Sequence, residues 1–382
     1  MSKRTPFRYL QTLSFCKCLK MNKLNNYKYV EIESFRAILA WWVVFSHVLG
    51  TAGFNYSNLV YPFNVLRNGS LAVNGFMIVS GFVIAHLIVT KKEAYIPYIT
   101  RRFLRLFPLF MFVSLASVFI YKTLGVKSSS ASYDTWGINL LLNATMLHGM
   151  IPDQVMKDAS RALINPGWSI SLEWQFYLLA PLFFLKSKRG IMFLLLIAFS
   201  FLVTGGYLNR KSLDLNYPHA SLLIFSIHYF MIGIFSYYLH EHLKNISLKI
   251  GIIESLLLTF LIFAVTRDYA ISIWCLFFSI FLIGKCDTKS KFMTSKYLVS
   301  LGRVSYSTYL IHYVVISVLA LELRGYFQKS SYELLISLMI TTIVITVPVS
   351  FLLYKYVELP FIKLGKNYFK ELEKRKLSNV NK

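Results

Sequence analysis

The chain has 382 residues, 56% of them hydrophobic and only 15% charged, with a mean hydropathy of +0.53. That leaves too little polar surface to cover a soluble core of this size, and apolar runs near twenty residues recur, the length that crosses a hydrocarbon layer about 30 Å thick. The net charge of +24 sits in short basic blocks between those runs, which argues against a nucleic-acid partner and for topology signals and contact with anionic membrane lipids.

In chain order, the first 30 residues are polar and basic and lack the apolar stretch of a cleavable signal peptide. Met21 opens a natural start, so residues 1–20 are expected to be dispensable. Ten spans follow, at 34–54, 71–90, 103–122, 167–185, 190–208, 219–240, 248–265, 269–286, 304–323 and 333–356. The weaker apolar stretch 136–150 is short for a span and is expected at the interface or as a re-entrant segment. With the N-terminus inside, about 30 of the 41 Lys and Arg fall on the cytoplasmic side and about 10 outside, with Arg36 at the edge of the first span. An eleventh span would invert every later loop and destroy that asymmetry. The expected fold is therefore an all-α, polytopic membrane bundle of about ten transmembrane helices without a separate soluble domain. Residues 1–33 form a cytoplasmic N-terminal segment, 34–356 the transmembrane domain and 357–382 a basic cytoplasmic tail. The longest outer loop, 123–166, is too short for a conventional catalytic domain. Cys16, Cys18, Cys275 and Cys286 make neither a disulfide framework nor a metal-ligand set. Chemistry, if any, lies among the helices.

The first span, SFRAILAWWVVFSHV (34–48), carries two ionisable groups, Arg36 and His47. Eleven residues bring the helix to within roughly 20° of three full turns and advance it ~16 Å, so both side chains share one stripe. Ionisable groups within a span are costly and by default mark a pathway or a site. The alternative is an arginine snorkelling to lipid phosphate and a histidine making one structural hydrogen bond. The fourth span, NPGWSISLEWQFYLLAPLF (165–183), adds Trp168, Ser169, Glu173 and Tyr177, with Glu173 at a depth similar to that of His47. The ninth, LGRVSYSTYLIHYVV (301–315), adds Tyr309 and His312 on nearly one face. Three spans with inward-looking polar groups suggest a site. At the cytoplasmic start of the third span, ITRRFLRLFP (99–108) clusters Arg101, Arg102 and Arg105, whose guanidinium forks suit phosphate or, alternatively, anchor the helix on anionic lipid. Glu358, before Pro360, is either functional or part of a plain helix stop. Gly75, Ser80 and Gly81 let helices approach closely. HGMIPD (148–153) spells His-x4-Asp on the outer side and reads as accidental. Metal-ligand clusters, phosphate-binding glycine loops and nucleophile elbows are not visible in the sequence.

Six of these segments, from about residue 30 to 366, together resemble the acyltransferase family 3 membrane proteins, which O-acylate surface polysaccharides and other extracytoplasmic acceptors in bacteria. They are Arg36-x10-His47, VNGFMIVSGF (73–82), RRFLRLFP (101–108), WSISLEWQFYLLAP (168–181), SYSTYLIH (305–312) and YVELP (356–360). Asn74 and Trp174 depart from the family, which often has acidic residues there. The resemblance implies a stand-alone O-acyltransferase of the bacterial inner membrane, with acetyl-CoA as the expected donor and no metal. The acceptor would be a hydroxyl of O-antigen, capsule, exopolysaccharide or a lipid-linked precursor. His47, Arg36 and Glu173 would be catalytic, Arg101, Arg102 and Arg105 would bind the donor, and Trp168, Ser169, Tyr177, Tyr309 and His312 would line the helix interior. A different class of function, transport or polymerisation of lipid-linked sugar, fits the same polar residues without acyl-CoA.

Overall fold

A computed structural model describes residues 29–54, 63–125, 135–184, 217, 221–243, 250–283 and 292–380. Among them every regular element is helical. The expected span at 190–208, the proposed start at Met21 and most of the N-terminal segment lie outside the described residues, as do the basic stretches 186–189, 244–249 and 285–291.

Five continuous helical runs are long and apolar enough to cross a membrane. They are α1 (Val30–Ala52), α2 (Gly69–Lys91), α3 (Tyr95–Leu124), α10 (Ser305–Leu323) and the run that begins with α11 (Tyr332–Leu353). Between α3 and α10 the helices are shorter: α4 (Trp136–Ala144), α5 (Gly167–Leu179), α6 (Ile227–Leu243), α7 (Ile252–Thr266), α8 (Tyr269–Phe277) and α9 (Lys296–Arg303). The bundle is thus the all-helical membrane fold expected, but several of the expected spans are not single long helices. The run predicted at 167–185 shows why. Its α-helix stops at Leu179 and tightens into a 3-10 turn, Ala180–Phe184, where Pro181 has no N–H for the α-helical ladder. The stretch at 136–150 makes the nine-residue α4 and a 3-10 turn, far short of the ~20 residues a crossing needs.

The end of the last span differs from a plain stop. Helix α11 passes through a π turn, Tyr354–Glu358, and continues as α12 (Leu359–Val380). Pro360 lies just past the π turn, whose wider winding lets the helix continue through a residue without an N–H.

Polarity is arranged as a lipid solvent demands. Helix α7 turns Ile252, Ile253, Leu256, Leu257, Phe260, Leu261 and Val265 outward and buries only Ser255. The buried face of α10 instead holds Ser305, Tyr306, Ser307, Thr308, Tyr309 and His312. Apolar outer faces meet acyl chains at little cost, whereas polar groups at that depth must face one another.

The ends of the bundle are tied by polar contacts. Gly302 of α9 lies against the backbone of Glu33 at the start of α1, so closely that a Cβ would fall 1.9 Å from the Glu33 carbonyl oxygen. At the other end Arg324 donates to the Thr51 carbonyl (2.7 Å), and Gly53, with φ of 98°, ends α1 where Ser330 donates to the Ala52 carbonyl (2.8 Å). A non-glycine residue rarely adopts that left-handed conformation. Helices α1 and α10 therefore start at one end and finish at the other. That starting end also holds the finish of α2 and the arginines of α3, and is called the basic end below.

Candidate active site

A partly open cavity of about 80 Å³ lies between α1, α2, α3, α5, α6 and α10. It is large enough for several waters or a small group. Three guanidinium groups line it, Arg36 from α1 and Arg102 and Arg105 from α3, together with one carboxylate, Glu173 from α5. Its remaining polar lining is Ser80, Ser169, Tyr177, Ser305, Tyr306 and Tyr309.

Each of these groups is held from its own helix. Helix α3 runs uninterrupted through Pro108, and Arg102 and Arg105, three residues apart, fall on neighbouring rows of one face. Arg102 sits over the Tyr177 ring, 5.8 Å from its centre, and its Nε has no hydrogen-bond partner. Arg36 is paired with Glu33 one turn earlier, at 3.4 Å. The carboxylate of Glu173 accepts from the Ser80 hydroxyl (3.0 Å) and from the Tyr177 hydroxyl on the next turn of α5. On the facing wall, Ser169 and Tyr309 share a 2.6 Å hydrogen bond, and Ser169 also donates to the Pro166 carbonyl (3.0 Å). Tyr306 donates to the Leu106 carbonyl (2.7 Å) and so locks α10 to α3 beside the arginines.

A second acid lies close by. Glu358, in the π turn, is 2% exposed and accepts from Ser307 of α10 at 2.9 Å. Together with Glu33 and Glu173 it is within electrostatic reach of Arg105. A π turn re-aims side chains that a regular helix would place elsewhere.

The structure thus brings together Arg36, Arg102, Arg105, Ser169, Glu173, Tyr177 and Tyr309. It separates four other candidates from that space. Arg101 points elsewhere, paired with Glu93 and stacked 5.3 Å from the Phe369 ring of α12. Trp168 is packed into the hydrophobic core. His47 and His312 lie one turn beyond the cavity, where α10 continues past Tyr309. Their rings are 5.2 Å apart, Tyr313 meets the His47 ring edge-on at 5.1 Å, and Tyr309 lies 5.8 Å from His312. Glu173, expected to balance His47, is occupied by Ser80 and Tyr177 instead. In the sequence Ser80 reads only as a packing residue, and Tyr306 is not singled out. The signal for Tyr306 was its i, i+3 spacing from Tyr309.

The His-x4-Asp of residues 148–153 is not a base with its orienter. His148 is 1% exposed, stacks on Phe110 and contacts the Gly167 carbonyl through Nε2 (3.1 Å), while its Nδ1 has no partner. Asp153 instead accepts from the Asp158 N–H. Burial pushes the His148 imidazole down from 6.5 to about 4. Its place is structural: it pins the loop to the first residue of α5, the helix that carries Ser169 and Glu173.

Among the described residues, no three His, Cys, Asp or Glu side chains gather as a metal site. Among known proteins, the family model described as an acyltransferase domain matches residues 29–355, most of the chain. No curated protein and no solved structure matches it.

Proposed function

The chain belongs to acyltransferase family 3, and from that premise we propose that it is a multi-pass membrane O-acyltransferase that moves an acyl group from acyl-CoA to a carbohydrate hydroxyl. Membership of a transferase family weighs against the transport reading. The donor proposed is acetyl-CoA, and the acceptor is O-antigen, capsule, exopolysaccharide or a lipid-linked precursor at a bacterial inner membrane. Both termini are proposed to be cytoplasmic, which places the basic end on the side where acyl-CoA is made.

The observation that carries the reading is the convergence of Arg36, Arg102 and Arg105 on one cavity inside a bundle of membrane-length helices. Cations at that depth need an anionic counterpart. Guanidinium forks match phosphate oxygens in pairs, so Arg102 and Arg105 suit the phosphates of a nucleotide-bearing donor. Arg101, tied to Glu93, belongs to the approach. The thioester arm then extends past Ser169 and Tyr309 toward His47. There the His47 imidazole takes the proton of the acceptor hydroxyl as its oxygen attacks the thioester carbonyl. The carbon–sulfur bond breaks, and the thiolate leaves with the proton that His47 returns. Glu173 offsets part of the cationic charge and positions Tyr177 beneath Arg102.

The test is the acetyl content of purified surface polysaccharide, normalised to membrane-inserted protein. His47→Ala and His47→Gln should both abolish it, because glutamine hydrogen-bonds but does not take a proton at neutral pH. Substantial acetylation by His47→Gln would refute the base role.

A further inference from the structure

His312 is fully buried, with 0% exposure, yet only half of its imidazole is satisfied. Its Nδ1 lies 3.3 Å from the Thr308 carbonyl, one turn earlier on α10. A carbonyl oxygen only accepts, so Nδ1 carries the ring proton and Nε2 keeps a bare lone pair. No hydrogen-bond donor reaches that Nε2. Buried acceptors are nearly always paired, so an orphaned one asks for a role.

The group beside it is the His47 ring, 5.2 Å away centre to centre. An N–H···N bond of about 2.9–3.0 Å between two imidazoles places their centres roughly 5 Å apart. The 5.2 Å between the ring centres therefore fits the reach of an N–H···N bond from His47 to Nε2. Tyr313 packs edge-on against His47, and Tyr309 connects His312 to the cavity wall. The two histidines come from different helices, α1 and α10, which cross here.

We propose that His312 is a positioning residue for acyl transfer: its Nε2 accepts a hydrogen bond from His47 and thereby fixes which His47 nitrogen is bare. This rests on the reading of His47 as the base. With one His47 nitrogen donating to His312, the other faces the acceptor hydroxyl as a lone pair. When that nitrogen takes the hydroxyl proton, the positive charge on His47 is shared across the bond to His312. The oxygen joins the acyl carbon, the thiolate departs, and the proton passes from His47 to sulfur. His312 neither gains nor loses a proton in the cycle. An imidazole oriented by a second group is the general logic of base activation in acyl transfer.

The test uses the full chain in membrane vesicles that contain their endogenous polysaccharide, supplied with acetyl-labelled acetyl-CoA. His312→Phe removes the acceptor and keeps a ring; the maximal rate should fall about 10- to 100-fold, the worth of a hydrogen bond to a charged group. The half-saturating acetyl-CoA concentration should not move, since His312 lies beyond the arginines. His312→Gln returns an amide oxygen near the position of Nε2 and should recover the rate to within a few-fold. A merely structural histidine would show no such split and no such rescue. Wild-type rate in His312→Phe, or a glutamine variant no better than phenylalanine, would overturn the assignment. If phenylalanine prevents insertion, His312→Leu replaces it with the same expectations. His47→Gln in the same assay separates the two ideas. An active His47→Gln removes the base reading, whereas an inactive one beside a fully active His312→Phe removes only the role of His312.

Discussion

Replacing Gly81 by alanine tests how closely the helices behind the cavity must approach. Helices α2 and α6 cross at Gly81 and Gly233. A Cβ on Gly81 would fall 2.0 Å from the Phe230 carbonyl oxygen, and one on Gly233 would fall 1.9 Å from the Ile78 carbonyl oxygen. Ordinary contact begins at 3.4 Å, so the backbones would have to separate by about 1.4 Å. The obstructing atoms are main chain on both sides and have no rotamer to escape into. Overpacking of this kind costs about 1–3 kcal/mol, and rigid neighbours put Gly81→Ala at the upper end of that range. The same movement reaches the site, because Ser80 and Phe230 line the cavity and the 3.0 Å bond from Ser80 to Glu173 would stretch beyond hydrogen-bonding length. Thermal unfolding of detergent-purified protein, followed by gel filtration after heating, should show a clear loss, with acyl transfer reduced in parallel. Gly137→Ala is the control. Nothing lies within 4 Å of a Cβ there, and alanine is the better helix former. A Gly81→Ala protein that melts with the wild type would refute the close-approach argument.

The arginines should separate by place. Arg102→Ala and Arg105→Ala should each weaken acyl-CoA binding about 10- to 100-fold, with partial rescue by lysine, whereas Arg101→Ala should leave binding nearly intact; displacement of an acyl-CoA photoprobe measures all three. His148→Ala should lower stability by ~1–3 kcal/mol through a lost buried hydrogen bond and stacking contact. A neutral buried histidine whose folded value lies near 4 contributes stability that is complete above about 6.5 and drains as pH falls from there toward 4. Melts across that window should show the loss in the wild type and a shallower one in the variant.

The helical class, the multi-pass character and the inward polar stripes were legible because lipid imposes simple rules on composition. Length near twenty residues, few charges and basic blocks between runs are one-dimensional properties. Helix ends and continuity were less legible. Pro181 ends α5 in a 3-10 turn, whereas at Pro360 a π turn just before it absorbs the missing N–H and the helix runs on. Which polar groups meet was the least legible. Arg101 and Arg102 are adjacent in sequence, and 100° of helix rotation sends one to Glu93 and Phe369 and the other into the cavity. Similar depth suggested that Glu173 would meet His47, but depth does not fix azimuth, and Tyr177 at i+4 together with Ser80 across the α2 contact claims the carboxylate.

That last arrangement explains how the cavity keeps its cationic character. A carboxylate beside three guanidinium groups would ordinarily close into a bidentate pair with one of them and consume its fork. Here two neutral hydroxyls, from Ser80 and Tyr177, hold the same Glu173 oxygen, and no ion pair joins Glu173 to Arg102 or Arg105 among the described residues. The carboxylate therefore acts through space and lowers the cost of burying the arginines without occupying their donors. Glu358 does the same from the other side, its own oxygen taken by Ser307. Tyr177 serves both charges at once, donating its hydroxyl to Glu173 while its ring face lies under Arg102. Arg102 and Arg105 are thus left without an ion pair among the described residues, which is what recognition of an anionic acyl donor would require.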